Sequence, residues 1–217
     1  MSQIAGRPAE VVPNGVDVAA FADVETSPEL PHVMFIGNYG YPPNDDAVQW
    51  AADQIMPRVW QRCATARFIV CGSQMRAEWP RRWPDSRIEW RGLVPDVKAV
   101  QRECSVFIAP LRAGGGSKLK VLEAMAGGLA VVSTPEGVSG LSAVKGQDYL
   151  LGRTAEELAA SIIELLRDPA KIRAMGAAGR RYVSAAHDWS ALTDQLERIY
   201  YGLPIRSPAL VESPQIA

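Results

Sequence analysis

The amino-acid sequence predicts an α/β domain built on a doubly wound parallel sheet, and three observations carry that prediction. Short apolar runs, Val33-Met34-Phe35-Ile36, Phe68-Ile69-Val70-Cys71 and Val106-Phe107-Ile108-Ala109, each stop at a glycine or a proline, as strands buried on both faces do. Segments of helical periodicity lie between them, so strand and helix alternate through most of the chain, the pattern of right-handed βαβ units. A glycine-rich loop then joins one strand directly to a helix.

In chain order, residues 1–30 are rich in Pro, Glu, Ala and Gly without a sustained period, and read as a linker-like segment holding an Asn14-Gly15 turn. The first strand runs from Val33 to Ile36 and ends at Gly37. After a loop to Pro43, Asn44-Asp45-Asp46 supplies an N-cap and an acidic first turn. Ala47, Ala51, Ile55 and Val59 recur every four residues, which predicts a helix over 44–62. Residues 67–71 form a strand closed by Gly72, and residues 87–91 a strand closed by Gly92. A short helix over 96–103 precedes the strand 106–109, which Pro110 stops. Gly114-Gly115-Gly116 feeds a helix over 117–126 that Gly127-Gly128 ends. Residues 130–133 are the next strand. Thr154-Ala155-Glu156-Glu157 has the form of a capping box opening a helix to Leu166. Asp168-Pro169 places an N-cap before a proline at the first helical position of another. Residues 188–200 form the last helix, and 204–217 a loose tail. With no repeat and no long linker, residues 31–203 make one Rossmann-like domain.

Composition narrows the function. The chain has 217 residues, 47% of them hydrophobic, enough for a substantial core. Its net charge is −1 with both signs mixed along the chain, which argues against a dedicated nucleic-acid binder. No apolar run approaches the roughly 18 to 20 residues of a membrane span, and residues 1–10 lack the apolar region of a secretory signal. Cys63, Cys71 and Cys104 are scattered without metal-type spacing, as befits buried thiols in a cytoplasmic protein with no metal site. His32 and His187 read as surface or capping residues.

In an open α/β sheet, ligands bind outside the carboxyl ends of the strands. That directs attention to the loops 37–44, 72–74, 92–96 and 110–117. The last of these, running on from Arg112 to Lys120, is the most informative. Its glycines let backbone approach a ligand closely, and the helix start offers unpaired N–H groups to an anion. Lys118 and Lys120 fall where a cation opposes the helix dipole at about 0.3 to 1 kcal/mol each. That placement makes sense where a phosphate reverses the local sign; otherwise the loop is a flexible turn with two solvated lysines. Glu123 shares a helical face with Leu119, Leu122 and Ala126, a costly place for an unpaired carboxylate. It serves either as an ion-pair partner of Lys120 or as an acceptor for a ligand diol. Neither G-x-x-x-x-G-K-[ST] nor a G-x-G-x-x-G after the first strand is present, which weakens ATPase and dehydrogenase readings.

The stretch from Gly114 to Leu141 resembles the donor-site signature of family 4 glycosyltransferases. Val12 to Asp17 resembles the segment between the two domains of those enzymes, Phe35 to Asn44 their first strand and loop, and Gly92 to Asp96 their base-contacting loop. The resemblance implies the GT-B fold of two Rossmann domains, with this chain as the C-terminal, nucleotide-sugar-binding half. It implies transfer from a nucleotide-diphosphate sugar with retention at the anomeric carbon, and no metal or other cofactor. It further implies an N-terminal acceptor-binding domain or partner chain, without which the chain is inactive. By matching position, Lys118 and Glu123 carry the catalytic roles, with Glu123 on the donor ribose. Gly115, Gly116 and Ser117, with Lys118 or Lys120, hold the diphosphate. Gly37 and Asn38 border the phosphates, and Leu93, Val94 and Asp96 flank the base. Gly72, Arg112 and Leu122 complete the donor-binding set.

Two features depart from the pattern. Gly115 stands where many members have a sugar-contacting glutamate. Asn38 and the Pro42-Pro43-Asn44 run stand where many carry Arg and Lys, leaving Lys118, Lys120 and Arg112 to compensate the diphosphate. The alternative is a non-catalytic nucleotide-sugar-binding module that works with a separate acceptor subunit. A sugar-nucleotide epimerase would want more acids and histidines in the cleft. Family analogy adds polysaccharide biosynthesis and peripheral membrane association through the acceptor. Trp189, Leu192, Leu196, Ile199, Tyr200 and Tyr201 give the last helix an apolar face expected to want a partner.

Overall fold

Six strands form one parallel sheet in the computed structural model, which describes residues 10–202 and the backbone of a short antiparallel pair, Gln3–Ile4 with Arg7–Pro8. The strands are β1 (His32–Ile36), β2 (Arg67–Cys71), β3 (Ile88–Gly92), β4 (Val106–Ala109), β5 (Ala130–Ser133) and β6 (Tyr149–Leu151), in the order β3-β2-β1-β4-β5-β6. β1 pairs with β2 from His32↔Arg67 to Ile36↔Cys71, and on its other edge with β4 at Val33↔Val106 and Met34↔Phe107. The chain therefore turns back between β1 and β4, the reversal that opens a crevice in doubly wound sheets. Val33, Met34, Phe35, Val106, Phe107 and Ile108 are buried, as the continuous apolar runs require. β6 has only three residues, Tyr-Leu-Leu, too few to show a period, and the sequence gives no sign of it.

The helices depart from expectation where prolines act. α1 (Pro42–Trp50) begins two residues earlier than the acidic cluster indicates, with Tyr41 at the N-cap and prolines in the first two helical positions. Their fixed φ suits that turn, and their missing N–H groups would have been unpaired there anyway. Asn44 is consequently not the cap: it lies in the first turn and is buried. The same helical run passes through a π segment (Ala51–Ile55) into α2 (Met56–Trp60), just before Pro57, which has no N–H to give to the preceding turn. α3 (Trp79–Arg82) is a single turn without a sequence signal. α4 (Val97–Arg102) is capped by Asp96, whose side chain accepts from the Lys98 N–H at 2.9 Å. α5 (Leu119–Ala126) starts two residues later than the glycines indicate. α6 (Ala155–Leu166) is capped by Thr154 and α7 (Pro169–Ala186) by Asp168, as their sequences predict. α8 (Trp189–Gly202) buries Leu192 and leaves Trp189, Leu196, Tyr200 and Tyr201 exposed. Residues 204–217, read as a tail, lie outside the described residues.

Within the segment 1–30 read as linker-like, residues 14–30 pack onto the domain. The Val16 N–H donates to the His187 carbonyl at 2.7 Å, Ser27 bonds the Cys104 and Arg102 carbonyls, and Val24 is fully buried. Single apolar anchors in a polar, proline-rich stretch produce no period, which is why composition misreads it. Of the two roles expected for His187 it takes the capping one: it is the C-cap of α7 and is buried, with Nε2 2.9 Å from Tyr182 Oη and Nδ1 3.0 Å from the Asn14 carbonyl.

Candidate functional site

The loops after β1 and β4 face each other across the strand-order reversal and enclose a cleft of about 230 Å³ lined by Tyr41, Asn44, Gly114, Ser117, Lys118 and Lys120 among others. The β1 side is held by its neighbours. Tyr39 is buried beside Trp79, and its phenol donates to the Cys71 carbonyl at 2.6 Å, tying the loops after β1 and β2 together; burial pushes that phenol well above the usual tyrosine range. Gly72 allows the same approach. Its φ is +135°, and a Cβ there would stand 1.8 Å from the Gly37 carbonyl oxygen, so no other residue fits.

On the β4 side, Gly114 and Gly116 take φ of +120° and +93°, while Gly115 and Gly116 have open space on the side a Cβ would occupy. Lys118 follows at φ 55°, ψ 32°, a left-handed conformation uncommon outside glycine. Its side chain folds back: the buried Nζ donates to the Gly114 carbonyl at 3.1 Å and to Glu136 at 2.9 Å. The Lys118 ammonium, predicted to stand in the first turn of the helix, thus precedes it and is committed to Glu136, whose carboxyl it holds below the usual range. α5 has no side-chain cap, so its leading N–H groups remain available to an anion.

Lys120 is the cation within α5. Its ammonium donates to Asn44 Oδ1 and lies 4.9 Å from the centre of the buried Phe35 ring. Burial, reinforced by the Lys118 ammonium and opposed by Glu123, pulls its pKa down to about 8. Glu123 is half-buried, and burial pushes its carboxyl upward against the pull of Lys120. Among the described residues no hydrogen bond or ion pair engages the Glu123 carboxylate, though Gln101 bonds its backbone carbonyl, so the contact ion pair with Lys120 is not formed.

The remaining expected residues divide. Gly115 and Ser117 line the cleft, Asn38 stands behind it with its carbonyl accepting from Asn44 Nδ2, and Asn14 donates to Ser117 Oγ at 2.7 Å. Arg112 is exposed, and its guanidinium is engaged by both oxygens of Asp46 while lying 5.0 Å from the centre of the Trp50 ring. Leu93 is 79% exposed beside half-buried Val94, and Asp96 spends its carboxylate capping α4. Leu122 is fully buried in the core and its N–H bonds the Lys118 carbonyl, so it packs α5 and offers nothing to a ligand. Sequence reasoning pointed to the loop 37–44 but gave Tyr41 and Asn44 no place in the site, and it missed Glu136. The rule that ligands gather after the strands would have found Glu136, on the turn that follows β5. Among the described residues no group of three or more His, Cys, Asp or Glu side chains could hold a metal ion.

Comparison with known proteins shows the family. The family model described as "Glycosyl transferases group 1" matches residues 30–168. The phosphatidyl-myo-inositol mannosyltransferase of Mycolicibacterium smegmatis is 30% identical over 210 residues, spanning 90% of this chain and 52% of that protein. The lipopolysaccharide core biosynthesis mannosyltransferase of Rhizobium leguminosarum bv. viciae is 28% identical over 195 residues, spanning 82% of this chain and 55% of that one. The chain therefore spans about half the length of these curated relatives. Among solved structures, Anabaena HepE in complex with UDP and glucose superposes with a TM-score of 0.72 at 18% identity, over 92% of this chain and 59% of that one.

Proposed function

The chain belongs to the group 1 glycosyl transferases and has the fold of a GT-B C-terminal domain, and on that premise we propose that it is the donor-binding half of a retaining glycosyltransferase. The donor is a nucleotide-diphosphate sugar. One observation carries the reading: an uncapped helix start, an open glycine backbone and the half-buried Lys120 ammonium converge on one cleft at the strand-order reversal. Glycosyl transfer leaves negative charge on the departing diphosphate, and preorganised N–H groups with a fixed cation stabilise such charge as it develops. Glu123, with its carboxylate uncommitted, accepts the ribose hydroxyls. Leu93 and Val94 flank the base.

The named activity of both curated relatives, mannosyl transfer, favours mannose as the sugar. The phosphatidyl-myo-inositol in one name supports an acceptor at a membrane surface, approached from the cytoplasm. Among the described residues no helix is long and apolar enough to cross a membrane. A second domain or chain binds the acceptor, and the exposed Trp189, Leu196, Tyr200 and Tyr201 face of α8 is consistent with such a neighbour.

Calorimetric titration with UDP, GDP and ADP tests the reading. One nucleotide binds saturably, and Lys120→Ala and Glu123→Ala each weaken it about tenfold, or about 1.4 kcal/mol. Binding of none of the three to the unmodified protein overturns the donor site.

A further inference from the structure

The cleft contains a polar contact that neither the strand-end rule nor family membership assigns. Asn44, in the first turn of α1, is buried with both ends of its carboxamide in use: Nδ2 donates to the Asn38 carbonyl at 2.9 Å and Oδ1 accepts from the Lys120 ammonium. Donor and acceptor chemistry sets this orientation, because an ammonium only donates and a carbonyl only accepts. The side chain lies against Gly37, where a Cβ would stand 2.9 Å from Asn44 Cγ. One carboxamide thereby joins the loop after β1 to the first turn of α5, on opposite sides of the strand-order reversal.

We propose that Asn44 is a positioning residue of the donor site, holding the Lys120 ammonium where the diphosphate of a nucleotide sugar arrives. The inference rests on the donor-site reading above. A free lysine side chain loses rotamer freedom when it is fixed on a ligand, and ordering it before the ligand arrives removes that cost from binding. The other cations near the cleft are already engaged, Lys118 by Glu136 and Arg112 by Asp46. Lys120 is held instead by a neutral partner, so its positive charge remains available to an anion.

The charged groups around Lys120 are Lys118 and Glu123 on its own segment, Glu136 beyond Lys118, and the Arg112–Asp46 pair that joins the glycine loop to α1. From α1 comes neutral Asn44 and from β1 the Phe35 ring. Asn44 Oδ1 accepts from the protonated amine and so favours the charged form against burial. A bound diphosphate favours it further, and nucleotide binding therefore takes up protons near pH 8.

Two variants separate positioning from mere packing. The Lys120 midpoint is followed by ¹³Cε NMR of the full chain, alongside UDP, GDP and ADP affinities over the same pH range. Asn44→Leu removes the acceptor, lowers the midpoint by about one pH unit and weakens nucleotide binding about tenfold below it. Asn44→Asp keeps the shape but supplies a carboxylate: the midpoint moves up by about as much, while affinity still falls because that charge opposes the phosphates. A role in packing alone predicts no opposite movement of the midpoint. If the unmodified protein binds a nucleotide and both folded variants leave the midpoint in place, Asn44 is not a positioning residue, and the donor site stands. If the unmodified protein binds none of the three, the donor-site reading falls and this assignment falls with it.

Discussion

Lys118 combines a strained backbone with a buried ion pair, and substitution can separate the two. Lys118→Ala removes the ammonium that bonds Gly114 and Glu136 but retains a Cβ at φ 55°. Hydrogen bonds to charged groups contribute about 1.5 to 3 kcal/mol net. The Glu136 side chain is 34% exposed and regains water when its partner is lost, so the low end applies, about 2 kcal/mol. Lys118→Gly loses the same contacts but relieves the left-handed conformation, which costs a residue with a Cβ about 1 kcal/mol or slightly more. For a chain of this size each kcal/mol moves Tm by about 2 to 4 °C. The expected falls are therefore about 6 °C for alanine and about 3 °C for glycine, with the same ranking in urea midpoints at unchanged m-value. An alanine variant as stable as the glycine variant would refute the strain. No loss in either would show that the Lys118–Glu136 pair contributes nothing.

Gly72→Ala places a Cβ 1.8 Å from the Gly37 carbonyl oxygen at φ +135°; urea unfolding should register a loss of at least about 3 kcal/mol, and a loss under 1 would contradict the close approach. The Glu136 carboxyl is held down in the folded state by Lys118, so its contribution is present above the unfolded carboxyl pKa of about 4.3 and is lost as pH falls through the lowered folded value. The stability gap between the native protein and Glu136→Gln should accordingly be full at neutral pH and close in acid; a gap independent of pH would rule out the linkage.

The strands were legible because a strand buried on both faces must be apolar along its whole length, and Val33 to Ile36 or Val106 to Ala109 admit no other reading. Capped helices were equally plain: Thr154 and Asp168 announce α6 and α7 by side-chain chemistry that acts within one turn. What escaped was set by contacts distant in sequence. β6 exists because Val131 to Ser133 offer an edge for Tyr149 to Leu151, and three residues carry no period of their own. Within the site, the glycine loop and its lysines were visible as a pattern, but their division of labour was not. Lys118 and Lys120 are two residues apart and alike in sequence. Only the fold shows that one is spent on Glu136, 18 residues on, while the other reaches Asn44, 76 residues back.

That division bears on how the cleft manages with no Arg or Lys in the loop from Gly37 to Asn44. The Pro42-Pro43-Asn44 run offers no charge of its own, only two prolines and an amide. In the fold, the prolines start α1 early and set Asn44 in its first turn, where the amide lies against Gly37 and meets Lys120. A lysine on the loop after β1 would bring a second ammonium toward Lys120, whose protonation burial and Lys118 already oppose; like charges in a poorly hydrated site each weaken the other. A neutral acceptor there instead helps keep the Lys120 ammonium charged. The local sequence that lacks a cation is therefore the sequence that allows α5 to supply one.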